Sequence, residues 1–177
     1  MERSSHGLLP QLIIVDSNII QYIAQPKSAK VFNDYIDNLI ERRFDFAIST
    51  ITIYELLKGA SKQKAEKMIN LLDRFTKFEL EEDILQAAAK LESLYKLEDI
   101  QPKEIEDADK IIGATALLSS ALILTANARD FPSPYFTEVE REIITFIVKR
   151  ERTKTIVVYL LRPEPAIIER YIKEIPT

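Results

Sequence analysis

Four acidic residues stand where a chain can do chemistry. Asp16 closes the apolar run "QLIIV", and Glu55 lies in "STITIYELL". Asp109 lies in "DADKIIGATAL", and Asp130 sits just past "ALILT". Ligands of an open parallel sheet bind outside the carboxyl ends of its strands. Each acid falls at the end of an expected strand or near the start of a neighbouring helix, so all four gather at one edge. Clustered carboxylates repel one another and resist desolvation, and a cation relieves both costs. The donors are oxygens, in a chain with no cysteine and the single histidine His6, which favours Mg²⁺ or Mn²⁺ over Zn²⁺. Such an ion lowers the pKa of a bound water and stabilises charge on a phosphoryl oxygen.

Each residue also has a plainer role. Asp16 suits a helix N-cap. Glu55 follows Thr52 by three residues, the spacing of a capping box. Asp109, among Glu104, Glu106 and Asp107, suits the positive end of a helix dipole. Asp130, ahead of Phe131 and Pro132, suits a turn, as does Asn127. The case for chemistry is their convergence.

The elements that position them follow from hydrophobic periodicity. Residues 11–15 read as a buried strand, then a short helix capped by Ser17 or Asn18 that ends near Pro26. Residues 28–43 carry Val31, Phe32, Tyr35, Ile36, Leu39 and Ile40 at helical spacing. "FAIS" (46–49) is a strand, followed by a helix with Gly59 near its end and another helix over 62–73. "FTKFEL" holds a short strand before a helix over 82–97. Residues 105–119 are helical, and 121–125 form a buried strand. "EIITFIVKRERTKTIVVYLL" reads as two strands joined by a charged turn, and "PAIIERYIKEI" as a final amphipathic helix. Strands alternating with helices imply an α/β sandwich on a mainly parallel sheet, with the hairpin as an antiparallel edge.

Bulk properties bound the rest. The chain has 177 residues, 46% hydrophobic and 29% charged, which suits one globular domain. No run reaches membrane-spanning length, and the expected location is the cytoplasm. A net charge of −4 does not recommend nucleic acid as a partner unless a local basic patch or bound cations reverse it. The densest basic run is "KRERTK" (149–154), read either as a solvated turn or as a grip on RNA phosphates. Tyr22 and Tyr54 flank the acidic edge, as packing residues or as stacking partners for a base. His6 lies in an N-terminal stretch, 1–10, expected to be loose.

"IIVDSNII", "STITIYELLKGA", "DADKIIGATAL" and "LILTANARDF" resemble, in order and spacing, the motifs of PIN-domain ribonucleases, above all the VapC-type toxins of prokaryotic toxin–antitoxin pairs. The resemblance spans about residues 11–147. It implies a three-layer α/β/α sandwich with a mainly parallel central sheet; residues 148–177 depart from the family pattern, as a hairpin and helix extension expected to pack on the same domain. It also implies a Mg²⁺- or Mn²⁺-dependent endoribonuclease. Asp16 and Asp109 would be the main metal ligands, and Glu55 and Asp130 would bind a second ion or orient the attacking water. Ser17, Asn18, Thr125 and Asn127 would support the site or touch substrate. The implied partners are an RNA substrate, an antitoxin protein and a second copy in a homodimer.

Two other classes compete. An aspartyl phosphatase would use Asp16 as nucleophile, but its usual second acid, two residues on, is replaced by Asn18. A PIN-like binding scaffold without catalysis would use the extension as its interface, and the presence of all four acids argues against a decayed site.

Overall fold

The computed structural model describes residues 11–97, 105–149 and 152–174. The N-terminal stretch with His6, and Arg150 and Glu151 of the basic run, lie outside the described residues.

Six strands form one sheet in the order β3-β2-β1-β4-β6-β5. They are β1 (Gln11–Val15), β2 (Phe44–Ser49), β3 (Thr76–Phe78), β4 (Leu122–Thr125), β5 (Phe136–Lys149) and β6 (Arg152–Pro163). β1 to β4 are parallel to one another, while β6 runs antiparallel to both β4 and β5. Seven α-helices are described: α1 (Ser17–Ala24), α2 (Ala29–Glu41), α3 (Thr50–Leu57), α4 (Lys62–Leu72), α5 (Glu82–Leu97), α6 (Asp107–Leu118) and α7 (Pro165–Glu174). This is the expected α/β/α sandwich. Among the described residues no helix is long and apolar enough to cross a membrane.

The strand pleat builds the layers. Ile13 and Val15 of β1 join Leu122 and Leu124 of β4 under α1 and α2, where Ile19, Ile20, Phe32 and Leu39 are buried. Ile14 and Ile123 point the other way, against Leu91, Leu94, Ile112 and Ala116 of α5 and α6. Gly113 lets α6 approach closely: a Cβ there would stand 2.9 Å from the Phe136 ring. Lys110 is buried between α5 and α6, paired with Glu92 on one and with Asp107 at 3.0 Å on the other.

β5 starts at Phe136, well before the expected "EIITF". Its first half, "TEVERE", lacks apolar alternation because it is an edge strand that leaves Glu138, Val139, Arg141 and Glu142 in solvent. The expected division at 147/148 therefore falls inside one strand. The hairpin docks on α1 and α2 through Ile144, Phe146 and Val158. Arg42, at the end of α2, grips Glu140 with both guanidinium nitrogens at 2.9 and 2.6 Å.

Candidate active site at the carboxyl edge of the sheet

The chain runs outward from β1 to β2 and β3, then returns to place β4 on the other side of β1. Strand order reverses at the β1/β4 crevice, the place where open α/β sheets bind ligands. Asp16 follows β1 there and Thr125 ends β4.

Asp16 is 1% exposed and holds the N-cap position of α1 without closing a capping hydrogen bond. Its Oδ2 instead accepts from the Asn18 amide at 2.6 Å and the Thr125 hydroxyl at 2.7 Å. Its Oδ1 accepts from the Ser17 hydroxyl at 3.3 Å. Burial raises its pKa, while Thr125, Ser17 and the backbone N–H groups of Asn18 and Ser17 act in the opposite sense. Those backbone groups lower it without meeting capping geometry. Asn18 also donates to Thr125 Oγ1 at 3.2 Å and accepts the Ala126 N–H at 2.9 Å. Thr125 Oγ1 in turn accepts the Asn127 N–H at 2.9 Å. The result is a closed knot that fixes the carboxylate and ties the ends of β1 and β4 together. Asn18 is a clamp with both ends engaged, and it supplies none of the acid chemistry an aspartyl phosphatase needs.

Glu55 is not part of a capping box. The N-cap of α3 is Ser49, so Thr52, and not Glu55, sits three residues in. Its Oε2 is buried and has no hydrogen-bond partner. Burial raises its pKa, as do the charges of Asp16, Glu106 and Asp130, with the Ser17 hydroxyl opposing. Asp109 lies in the first turn of α6 and its pKa is pushed up to about 8. Burial is the first cause, followed by the charges of Asp130, Asp16, Glu55 and Glu106. Asp130 ends the short 3-10 turn Ala128–Asp130 after β4. Its pKa rises to about 6 through burial and the charge of Asp16, while the Asn127 amide, donating at 2.6 Å, lowers it.

These mutual effects place all four expected acids in one field. They also add Glu106, which sequence reasoning assigned only to the helix dipole. It is the N-cap residue of α6 and raises the pKa of Glu55, Asp109 and Asp130. Its signal was the spacing of three residues before Asp109.

Among the described residues no three acidic or histidine side chains form a ready-made coordination shell. The chemistry of the set nevertheless suits a hard dication. Every donor is an oxygen, the buried Glu55 Oε2 is unpartnered, and burial together with crowded negative charge drives the pKa values up. A bound cation reverses that last effect. Asp16, Glu55, Asp109 and Asp130 are the residues available to hold it.

The family model described as "PIN domain" matches residues 13–136. No curated protein matches the chain. Solved structures are similar as well, among them the following three. VapBC2 from Rickettsia felis, bound to a DNA fragment from its promoter, is 20% identical with a TM-score of 0.58, over 68% of this chain and 90% of that one. A toxin–antitoxin complex from Klebsiella pneumoniae is 24% identical with a TM-score of 0.53, over 70% and 92%. FitAcB from Neisseria gonorrhoeae is 25% identical with a TM-score of 0.51, over 67% and 90%.

Proposed function

The chain belongs to the PIN-domain family, and on that premise we propose that it is a divalent-metal-dependent endoribonuclease, the toxin of a toxin–antitoxin pair. PIN domains are typically nucleases that use divalent metals. The observation that carries the proposal is the field shared by four acids around the anchored Asp16, at the reversal of strand order. Isolated capping or dipole residues have no reason to burden one another in this way.

In the proposed mechanism Asp16 and Asp109 are the main ligands of Mg²⁺ or Mn²⁺, and Glu55 and Asp130 hold a second ion or orient water. When bound, the metal supplies an activated water and charge stabilisation on the phosphoryl oxygen. The protein's part is placement. Thr125 and Asn18 fix Asp16 in one orientation, and Asn127 fixes Asp130 Oδ2. Ser17 steadies Asp16 Oδ1 and lies near enough to Glu55 to lower its pKa.

The toxin–antitoxin assemblies among the structural neighbours support an antitoxin protein as partner. We extend the proposal to a homodimer acting in the cytoplasm, with residues 148–177 as an extension of the same folding unit. The test is RNA cleavage with Mn²⁺ or Mg²⁺ by wild type, Asp16→Asn and Asp109→Asn, alongside calorimetry of Mn²⁺ binding. Loss of cleavage in both variants is expected. Equal cleavage by all three overturns the site, and the absence of both Mn²⁺ binding and cleavage in wild type leaves a binding scaffold.

A further inference from the structure

The hairpin does not stop where the carboxyl edge of the parallel strands stops. Thr125, the last residue of β4, pairs with Tyr159, and β6 begins seven residues earlier at Arg152. At ~3.3 Å per residue the β5–β6 arm overshoots that edge by about 20 Å, at the end of the sheet where the acids stand. The arm also lies beyond the family model, which ends at Phe136, the first residue of β5.

Its charge opposes that of the molecule. From Ile143 to Pro163 the sequence holds one acid, Glu151, against Lys149, Arg150, Arg152, Lys154 and Arg162, in a chain of net charge −4. Lys149, Arg152 and Lys154 are exposed. Among the described residues none of the three has a carboxylate within ion-pair distance. Lys154 is held in place: its Nζ lies 5.2 Å from the Tyr22 ring centroid and 3.3 Å from the Tyr22 hydroxyl. Tyr22 stacks on Phe32 at 4.8 Å and meets the edge of Phe146 at 6.0 Å, so it is mainly a packing residue that supports the cation. Tyr22 is also on α1, six residues from Asp16, about 9 Å of helix.

On the opposite flank of the β1/β4 crevice, α3 presents Tyr54. This residue is 60% exposed, precedes Glu55, and lies under Lys58 Nζ at 5.8 Å. An exposed tyrosine offers stacking to an unpaired base. A polyanion approaching an acidic edge needs cations beside it, and the arm supplies them.

We infer that the β5–β6 arm is the rest for the substrate backbone. Arg152 and Lys154, with Lys149, take successive phosphates of a single-stranded RNA whose scissile bond lies at the acidic edge. This rests on the nuclease reading. The test measures binding of a labelled 12-nucleotide single-stranded RNA to the full chain in Ca²⁺ across a salt series, then cleavage in Mn²⁺. Arg152→Ala/Lys154→Ala weakens binding at least about fivefold and flattens the log K against log salt slope by about 1.4, ~0.7 for each lost phosphate. Lys62→Ala/Lys64→Ala in α4, which leads to β3 at the other edge of the sheet, removes the same charge and changes neither. In Mn²⁺ the arm variant raises KM for the 12-mer with kcat kept, and cleaves a tetranucleotide as wild type does. Unchanged affinity and slope, or equal losses in the α4 variant, overturns the inference. So does a changed sedimentation mass with RNA affinity intact, which makes the arm a protein interface. Arm-dependent RNA binding by a wild-type chain that cleaves nothing overturns the nuclease reading and leaves the arm as an RNA-binding surface.

Discussion

Asp109→Asn should make the metal-free protein more stable at pH 8. The Asp109 carboxyl is pushed from 3.8 to about 8 by burial and by the charges of Asp130, Asp16, Glu55 and Glu106. A folded-state pKa above the unfolded value means stability that is complete below pH ~4 and lost as pH rises through about 8. At ~1.4 kcal/mol per pH unit, the ceiling on that loss is about 6 kcal/mol. The repulsion is shared among several acids, and water reaches the rim of the site, so about 2–3 kcal/mol is the expected gain from an uncharged amide. At 2–4 °C per kcal/mol for a chain of this size, Tm in EDTA at pH 8 rises by about 5–10 °C. At pH 5, where wild-type Asp109 is protonated, the gap shrinks towards zero. Mn²⁺ at roughly 100 times its Kd stabilises wild type by about 2.7 kcal/mol, and the variant by less. The assay is thermal melting of both proteins at pH 5 and 8, with EDTA or Mn²⁺. A variant melting at or below wild type in EDTA at pH 8, or a gap indifferent to pH, refutes the crowding of charge at this edge.

Thr125→Val removes a donor to Asp16 and strands the Asn127 N–H, at a cost of about 2–3 kcal/mol in denaturant melts. It should lower RNA cleavage by at least about tenfold, while Thr125→Ser stays near wild type in both. Gly113→Val drives a side chain into the Phe136 ring and should destabilise the protein by about 2–3 kcal/mol in urea unfolding. Lys110→Met leaves Glu92 and Asp107 without their shared cation and should lower stability by about 1–2 kcal/mol, because both carboxylates keep some water.

The centre of the parallel half was legible because β1 and β4 are largely buried on both faces. "QLIIV" and "ALILT" are continuous apolar runs bounded by polar residues, and they fold where they read. The antiparallel edge was less legible. "TEVERE" is a strand that owes its conformation to pairing with β6, and its side chains advertise solvent. At the site, the acids were legible as types at motif spacing. What sequence could not supply is which hydrogen bonds they make. Asp16 does hold the N-cap position of α1, but its carboxylate is engaged by Thr125, 109 positions away, and closes no capping bond. The capping box at Glu55 fails because the N-cap of α3 is Ser49, three residues before Thr52. Glu106 was hidden among the four acids of "EIEDAD" (104–109), where its spacing of three residues before Asp109 was the one signal that set it apart. The reach of the arm was hidden too, since it depends on where Tyr159 meets Thr125.

The knot between Asp16 and Thr125 also sets the order in which the acidic edge is completed. A chain emerging from the ribosome up to residue 120 already carries Asp16, Glu55 and Asp109, yet it has neither the hydroxyl that aims the first nor Asp130. β1 gains its second neighbour only when β4 arrives, and β4 gains its own only when β6 does. On the proposed nuclease reading, the chain is expected to stay inert until β4 and Asp130 have been made. A fragment ending at residue 120 should leave RNA intact, and the ribosome that makes the protein would be shielded by the sequence distance between the two halves of one hydrogen bond.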